Sequence, residues 1–566
     1  MSLDLARPVA IIAWLLMMAA PAAAERRAEL VLRGGAIYTM DAARSWASAV
    51  AIADGRILYV GDDAAVAAHT GRDTHVIDLG GRMVLPGFHD SHMHPLSGGL
   101  RLVRCQLAGA RSPEAIHAAV RACAAASEDR EWLVGGGWEP SSFAAGRPHR
   151  AILDRLVPGR PVYLATEDGD TAWVSSRALA AAGIDASTPD PPGGRIERDP
   201  TTGAPTGVLR GAAVSLVRRC IPPPTDAEYR EGLRRSLAMA NRFGITSVID
   251  ASADAAMLEQ YRAADRAGAL SVRVLASQRV DLGRGAEQVG ELVARHERVR
   301  GKRLRADAAK IFVDGDFHTR DAALIEPYVG SPESRGILQI APAALDAIVT
   351  RLDAAGFQAH MHVFGDRAIR LGLDAIARAM EANGPRDRRH QLAHVGLFDP
   401  ADLLRLRRLG VVADVQPLWA QADELTRVAE ALLGPDRARR LYPIASVMAS
   451  GAVVVAGSDW PAPSMNPLDA IQIAITRRPL DGSAPAWRPE ERAGLAEMLA
   501  AYTLAGAWLA REDAVNGSIE VGKAADLIVL ERNLFEVEPM TLRHVRVLLT
   551  LLDGEPVYRA PDLAWP

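Results

Sequence analysis

The chain has 566 residues, 49% of them hydrophobic, and a formal charge of −4, with a mean hydropathy of +0.02. That balance fits a folded chain with a large core and excludes a disordered or fibrous one. The near-neutral charge, with no long basic run, gives no footing for nucleic acid, so a small-molecule partner is expected.

Residues 1–24 read as an export signal. Arg7 precedes an apolar run over 9–24, and Ala22, Ala23 and Ala24 stand before the charged Glu25, the small-residue pattern of a cleavage site. Pro21 interrupts the run, which is short for a bilayer span. A periplasmic or secreted mature protein is expected, without stable membrane insertion. Cys105, Cys123 and Cys220 allow one disulfide but no disulfide-built scaffold.

Residues 25–86 alternate short apolar runs with Gly-Gly and Asp-Gly turns, which predicts small antiparallel strands. Residues 511–566 resume that pattern, and the two ends are expected to form one composite β-sandwich. Between them, residues 87–510 carry eight strand candidates: 84–94, 245–249, 270–276, 308–313, 357–363, 390–395, 411–416 and 453–459. Helical patterns intervene, among them 254–268, 284–299, 342–355, 367–382 and 399–408. The fold class expected is therefore α/β, a (β/α)8 TIM-like barrel. Residues 95–242 break the rhythm with helices at 111–127 and 226–241 around a Gly/Pro-rich middle. They read as a long insertion after the first barrel strand, placed over the active site.

Polar residues gather at the strand ends, where barrels do chemistry. His92 and His94 flank Met93 on one strand, and residues i and i+2 project to one face, so both imidazoles can reach one ion. His360 and His362 repeat that spacing, and His390 and His394 share a face of the next strand. Periodicity leaves open which member of each later pair is the ligand. HQLAH has the spacing of a helical zinc pair but lacks the required glutamate.

Lys302, Lys310 and Lys523 are the lysines of a chain with 65 basic residues, and Lys310 lies in the apolar strand ADAAKIFVDG. A buried ammonium needs compensation. An amine, unlike a guanidinium, can lose its proton and take up carbon dioxide as an N6-carbamate, an anionic oxygen ligand able to bridge two cations. Asp459 closes the last strand in VVVAGSDWP, where a carboxylate can hold metal and move a proton. Imidazole and oxygen donors without thiolate predict zinc, with manganese or cobalt as substitutes, at one or two ions per chain. The expected chemistry is attack of a metal-activated hydroxide on a carbonyl, with Asp459 passing a proton to the leaving nitrogen.

The ordered motifs LPGFHDSHMHP, GGWEP, DGDTAWVSSRAL, KIFVDG, TRDAAL, HVFGDRAIR, HQLAHVGLF, VVADVQPLW, GSDWP and GSIEVGKAADLIVL carry a resemblance. Across residues 28–566 the chain resembles the amidohydrolase superfamily, and within it the N-substituted formamide deformylase-like branch, amidohydrolase family 3. The resemblance implies metal binding by His92, His94, His362, His394 and Asp459, with Lys310 as the carboxylated bridge and Asp459 as catalytic acid and base. It also implies that Trp138, Trp173, Asp314, Arg320 and Gln416 line or support a substrate pocket. Two departures stand out. Asp168-Gly169-Asp170 replaces the family's Asp-Gly-His, leaving Asp170 where a histidine would face the site. His89 stands where an aliphatic residue is usual.

The expected activity is hydrolysis of a carbon–nitrogen bond outside peptides, in an amide or N-substituted formamide. The same centre would also serve a cyclic amide, carbamate, lactone or ester, because the fold does not name a substrate. A non-catalytic periplasmic binding protein is the rival outside enzymes, and a homodimer is the default assembly.

Overall fold

A computed structural model describes residues 27–143, 148–166, 169–462 and 464–563. The export signal expected over 1–24 and Asp168 lie outside the described residues. Among the described residues, no helix is long and apolar enough to cross a membrane.

Eight parallel strands form the centre: β1 Phe88–Met93, β2 Ile245–Ala253, β3 Arg273–Arg279, β4 Leu304–Phe312, β5 Gln358–Val363, β6 Gln391–His394, β7 Val412–Val415 and β8 Val454–Ala456. Each pairs in parallel with its neighbours in chain order, as βαβ crossovers require. The ring closes between its first and last strands. The Asp459 amide donates to the His92 carbonyl at 2.6 Å and the His94 amide to the Trp460 carbonyl at 2.9 Å. A side chain at Gly457 would put its Cβ 2.5 Å from the His92 backbone nitrogen, so closure at the ligand-bearing strand needs glycine there.

All eight sequence-derived strands are present, and the crossover helices fall within a few residues of their predicted spans. The helix Asp366–Asn383 shows why: Ile369, Leu373, Ile376 and Ala379 are buried, a three-and-four spacing that lays one stripe on the barrel. The ends of the chain meet in two packed sheets. Met83–Pro86 pairs antiparallel with Leu527–Leu530. Leu32, Val50 and Ile52 from the four-stranded sheet share a core with Val84, Leu527 and Leu549 from the six-stranded one.

The insertion departs from its expected form. Both expected helices are present, at Pro113–Ala125 and Asp226–Arg242, but the rest is not irregular and folds as a six-stranded mixed sheet: Gly194–Arg198, Pro205–Gly211, Thr171–Val174, Val162–Thr166, Leu133–Trp138 and Cys105–Gln106, in that order. One face packs Leu133, Trp138, Leu164 and Trp173 against Ile116 and Val120 of the helix Pro113–Ala125. The other packs Tyr163, Val174 and Leu209 against Val217. A disulfide between Cys105 and Cys123 ties the edge strand to that helix, and Cys220 is free.

The insertion leaves the barrel directly after His94, through the helix Pro95–Val103, which crosses the helix Asp226–Arg242 at Gly99 and Gly232. A Cβ on Gly99 would overlap the Gly232 carbonyl, and one on Gly232 would lie 2.7 Å from the Gly99 carbonyl carbon. Gly99→Ala is therefore expected to lower stability by about 1–3 kcal/mol, the usual cost of overpacking. Chemical denaturation checks this; an unchanged midpoint would show that the helices can separate freely.

Candidate metal centre

The six expected ligands come from β1 and the residue after it, β4, β5, β6 and the turn after β8. His92 is 1% exposed. Its Nε2 lies 3.2 Å from Lys310 Nζ and 3.6 Å from Asp459 Oδ1. His94 Nε2 lies 3.1 Å from the same Asp459 oxygen. The parallel register sets Phe312 beside His362 and Val363 beside His394, so the imidazoles of His362 and His394 meet with centroids 4.5 Å apart. His394 lies 4.8 Å, ring to ring, from His92. Donor atoms of His92, His394 and Asp459 lie within 4.8 Å of one another, a spread that suits a common ion. The centre opens where His94 and Asp459 reach solvent, with side chains 23% and 16% exposed.

The backbone is strained at this ring. His394, Val395 and Asp459 all hold positive φ, at 78°, 47° and 53°. A β-branched residue there is a genuine outlier, and such strain, about 1–3 kcal/mol each, collects at functional sites.

Hydrogen bonding separates the two alternating pairs. His360 has both ring nitrogens engaged, Nδ1 with the Ser277 hydroxyl at 2.9 Å and Nε2 with His92 Nδ1 at 3.0 Å. His362 Nε2 is buried without a hydrogen-bond partner. An orphaned buried nitrogen beside other donors is what an ion would satisfy. His390 is likewise committed: Nδ1 accepts the Ala359 amide and Nε2 faces Asp353 at 3.3 Å. These partners leave His362 and His394 as the members of each pair able to donate to metal. The donor set fits a divalent cation such as zinc.

Electrostatics agree. Burial pushes the Lys310 ammonium down to about 8, against the opposing pull of Asp459, Asp414 and Asp250. A minor but available fraction is then neutral amine near physiological pH, the form that accepts carbon dioxide. Burial also holds His89, His92, His360, His362 and His394 below the ordinary histidine range, His89 at about 3. Neutral imidazole is the ligand form.

The depressed imidazoles also fix a pH dependence. They stay neutral in the fold but take up protons in the unfolded chain below their ordinary pKa of 6.5. The unfolded state then binds more protons, so stability is lost as pH falls through that value. The urea midpoint of chelator-treated protein is expected to fall steeply from about pH 7 to pH 5. A flat midpoint across that window would contradict the assignment of neutral imidazoles.

The expected pocket residues are dispersed. Trp138 and Trp173 are fully buried and pack together in the insertion's own core; the Trp138 indole donates to the Leu164 carbonyl at 2.9 Å. Asp170 is exposed in the turn before Thr171–Val174. Asp314 accepts the amides of Ala323, Phe364 and Gly365, which pins the loop after β4 to β5. Burial raises its carboxyl to about 8. Arg320 is exposed at φ 60°. Gln416 does reach the centre, with Oε1 2.9 Å from His394 Nδ1.

Sequence reasoning missed several groups at the site. Asp414 Oδ2 lies 3.0 Å from His92 Nδ1. Asp250 receives the Tyr261 hydroxyl at 2.7 Å and lies 4.0 Å from His94 Nδ1. Trp419 stacks on His394 with centroids 5.2 Å apart. Asp316 is raised by burial and, among nearby charges, by Asp459. Asp414 and Asp250 each stand in an apolar strand run, a signal visible in the sequence.

Buried imidazoles, a lysine and a carboxylate at the C-terminal ends of barrel strands define the class of metal-dependent barrel hydrolases. The sequence pattern of the Amidohydrolase family matches residues 75–558, and the chain belongs to that family. It is 31% identical over 544 residues to Protein LONG AFTER FAR-RED 3 of Arabidopsis thaliana, covering 94% of this chain and 92% of that one. It is 28% identical over 540 residues to the N-substituted formamide deformylase of Arthrobacter pascens, covering 93% and 97%. Among solved structures, a metal-dependent hydrolase of Pyrococcus furiosus superposes with a TM-score of 0.73 at 25% identity, covering 90% of this chain and 99% of that one.

Proposed function

We propose that the chain hydrolyses a carbon–nitrogen bond of an amide or N-substituted formamide, with His92, His94, Lys310, His362, His394 and Asp459 holding zinc. The observation that carries this is the buried convergence of those donors, with an unpartnered Nε2 on His362 and neutral imidazoles around a lysine of lowered pKa. When bound, such an ion acts as a Lewis acid and lowers the pKa of water from 15.7 to about 7.

The chain's own residues supply the rest. Lys310, carboxylated on Nζ, turns a buried cation into an oxygen donor facing His92, which removes the cost of an ammonium among imidazoles. Asp459 takes the proton of the attacking water and delivers it to the departing nitrogen. It is placed for this because it is among the site's most open groups while its oxygen stays 3.1 Å from His94. The burial of His92, Lys310 and His394 excludes bulk water and strengthens each polar contact there.

Export to an oxidising compartment belongs to the same reading. It draws on the residues before 25 and on the Cys105–Cys123 disulfide, a bond that cytosolic thiols would keep reduced. A substrate panel tests the chemistry. Formate release from N-alkylformamides well above release of the matching acids from lactones, esters and carbamates is expected. Equal or greater turnover of the oxygen-linked substrates would overturn the carbon–nitrogen assignment.

A further inference from the structure

We propose that Asp414 of β7 and Gln416, the residue just after that strand, form a clamp that fixes the tautomers of two metal-holding histidines, so that both imidazoles turn Nε2 toward the ion. The proposal rests on the metal-centre reading above and concerns two residues outside its ligand set. β7 is the barrel strand between the one that carries His394 and the one that leads to Asp459. Asp414 and Gln416 flank Val415, so both project to the same face.

The donor–acceptor order follows with Asp414 as a carboxylate, the form that a cation at the centre favours against the burial that raises its pKa well above the ordinary range. A carboxylate only accepts hydrogen bonds. Gln416 Nε2 lies 3.0 Å from Asp414 Oδ1, so its amide must donate there. That leaves Gln416 Oε1 to accept, and its neighbour at 2.9 Å is His394 Nδ1, which must carry the hydrogen. On the other side, His92 Nδ1 lies 3.0 Å from both Asp414 Oδ2 and His360 Nε2; its one hydrogen is shared between these two acceptors, and His360 then carries its own on Nδ1 toward Ser277. The Nε2 lone pairs of His92 and His394 are then free, and that of His92 faces Lys310 and Asp459. Asp414 is 0% exposed and Gln416 3%, so water offers no substitute partner. His360, whose Nε2 lies 3.7 Å from Asp414 Oδ2, closes the floor of the same network.

Outer partners of this kind raise ligand basicity, and their loss lowers metal affinity about 10–100-fold. The test is zinc affinity and stoichiometry of the full mature chain, by competition with a chromogenic chelator. Wild type is compared with Asp414→Asn, Gln416→Met and the double variant, each checked for cooperative unfolding. Asp414→Asn and Gln416→Met are each expected to weaken binding about 10–100-fold at unchanged stoichiometry. The double variant should cost less than the product of the two, because either change breaks one continuous chain.

Wild-type affinity in both single variants would overturn the clamp alone. Loss of a whole zinc equivalent from Asp414→Asn at saturating metal would also overturn it, making Asp414 a ligand beside His92 and His360. A wild-type chain that takes up no zinc would overturn the metal-centre reading and the clamp with it.

Discussion

Asp459→Asn is expected to lower kcat about 100- to 10,000-fold, the range that positioned proton transfer contributes, with a smaller change in KM. Asparagine keeps the size and one oxygen of the side chain but cannot accept and return a proton at neutral pH. The backbone role of the residue survives, since its amide still donates to the His92 carbonyl and the side chains that asparagine tolerates include the left-handed conformation held here, φ 53°. A kinetic loss in an intact barrel is thus the result to look for, by steady-state rates on the preferred amide beside a thermal melt. Activity within tenfold of wild type would remove Asp459 from proton transfer.

The second large effect is at Lys310. Lys310→Arg retains the positive charge in a position that is 1% exposed, but a guanidinium stays protonated and forms no carbamate. It places a permanent cation 3 Å-class distances from imidazoles that must remain neutral, so metal and activity should both fall by more than about 100-fold. Lys310→Ala removes the cation and leaves a cavity, and a small carboxylate such as acetate can then enter as the missing oxygen donor. Partial recovery of metal content by added acetate in the alanine variant, and none in the arginine variant, is the expected pair of results. Full metal occupancy in Lys310→Ala without acetate would show that the lysine contributes nothing to the centre.

The barrel was legible because its strands are short apolar runs that alternate with helical stripes such as Ile369, Leu373 and Ile376. The candidate ligands were legible for a related reason: period-two alternation places His92 with His94, and His360 with His362, before any partner is known. Alternation could not choose within a pair. That choice needed the neighbours of each nitrogen, Ser277 and His92 around His360 against an empty position at His362 Nε2. Asp414 shows the limit more sharply, because the residue that gives it a role, His92, is 322 positions away in the chain. The insertion's sheet was obscured because strands as short as Cys105–Gln106 and Thr171–Val174 hold too few residues to show an alternation. The resemblance implied pocket lining at Trp138 and Trp173, whereas each fills the core of that separate sheet.

The central claim is the metal centre, and elemental analysis of the purified mature chain in bicarbonate buffer, without chelator, tests it most directly. The account predicts between one and two equivalents of zinc, manganese or cobalt per chain, with two marking a carbamate bridge at Lys310. No bound metal, even after reconstitution with excess zinc, manganese and cobalt, would contradict it.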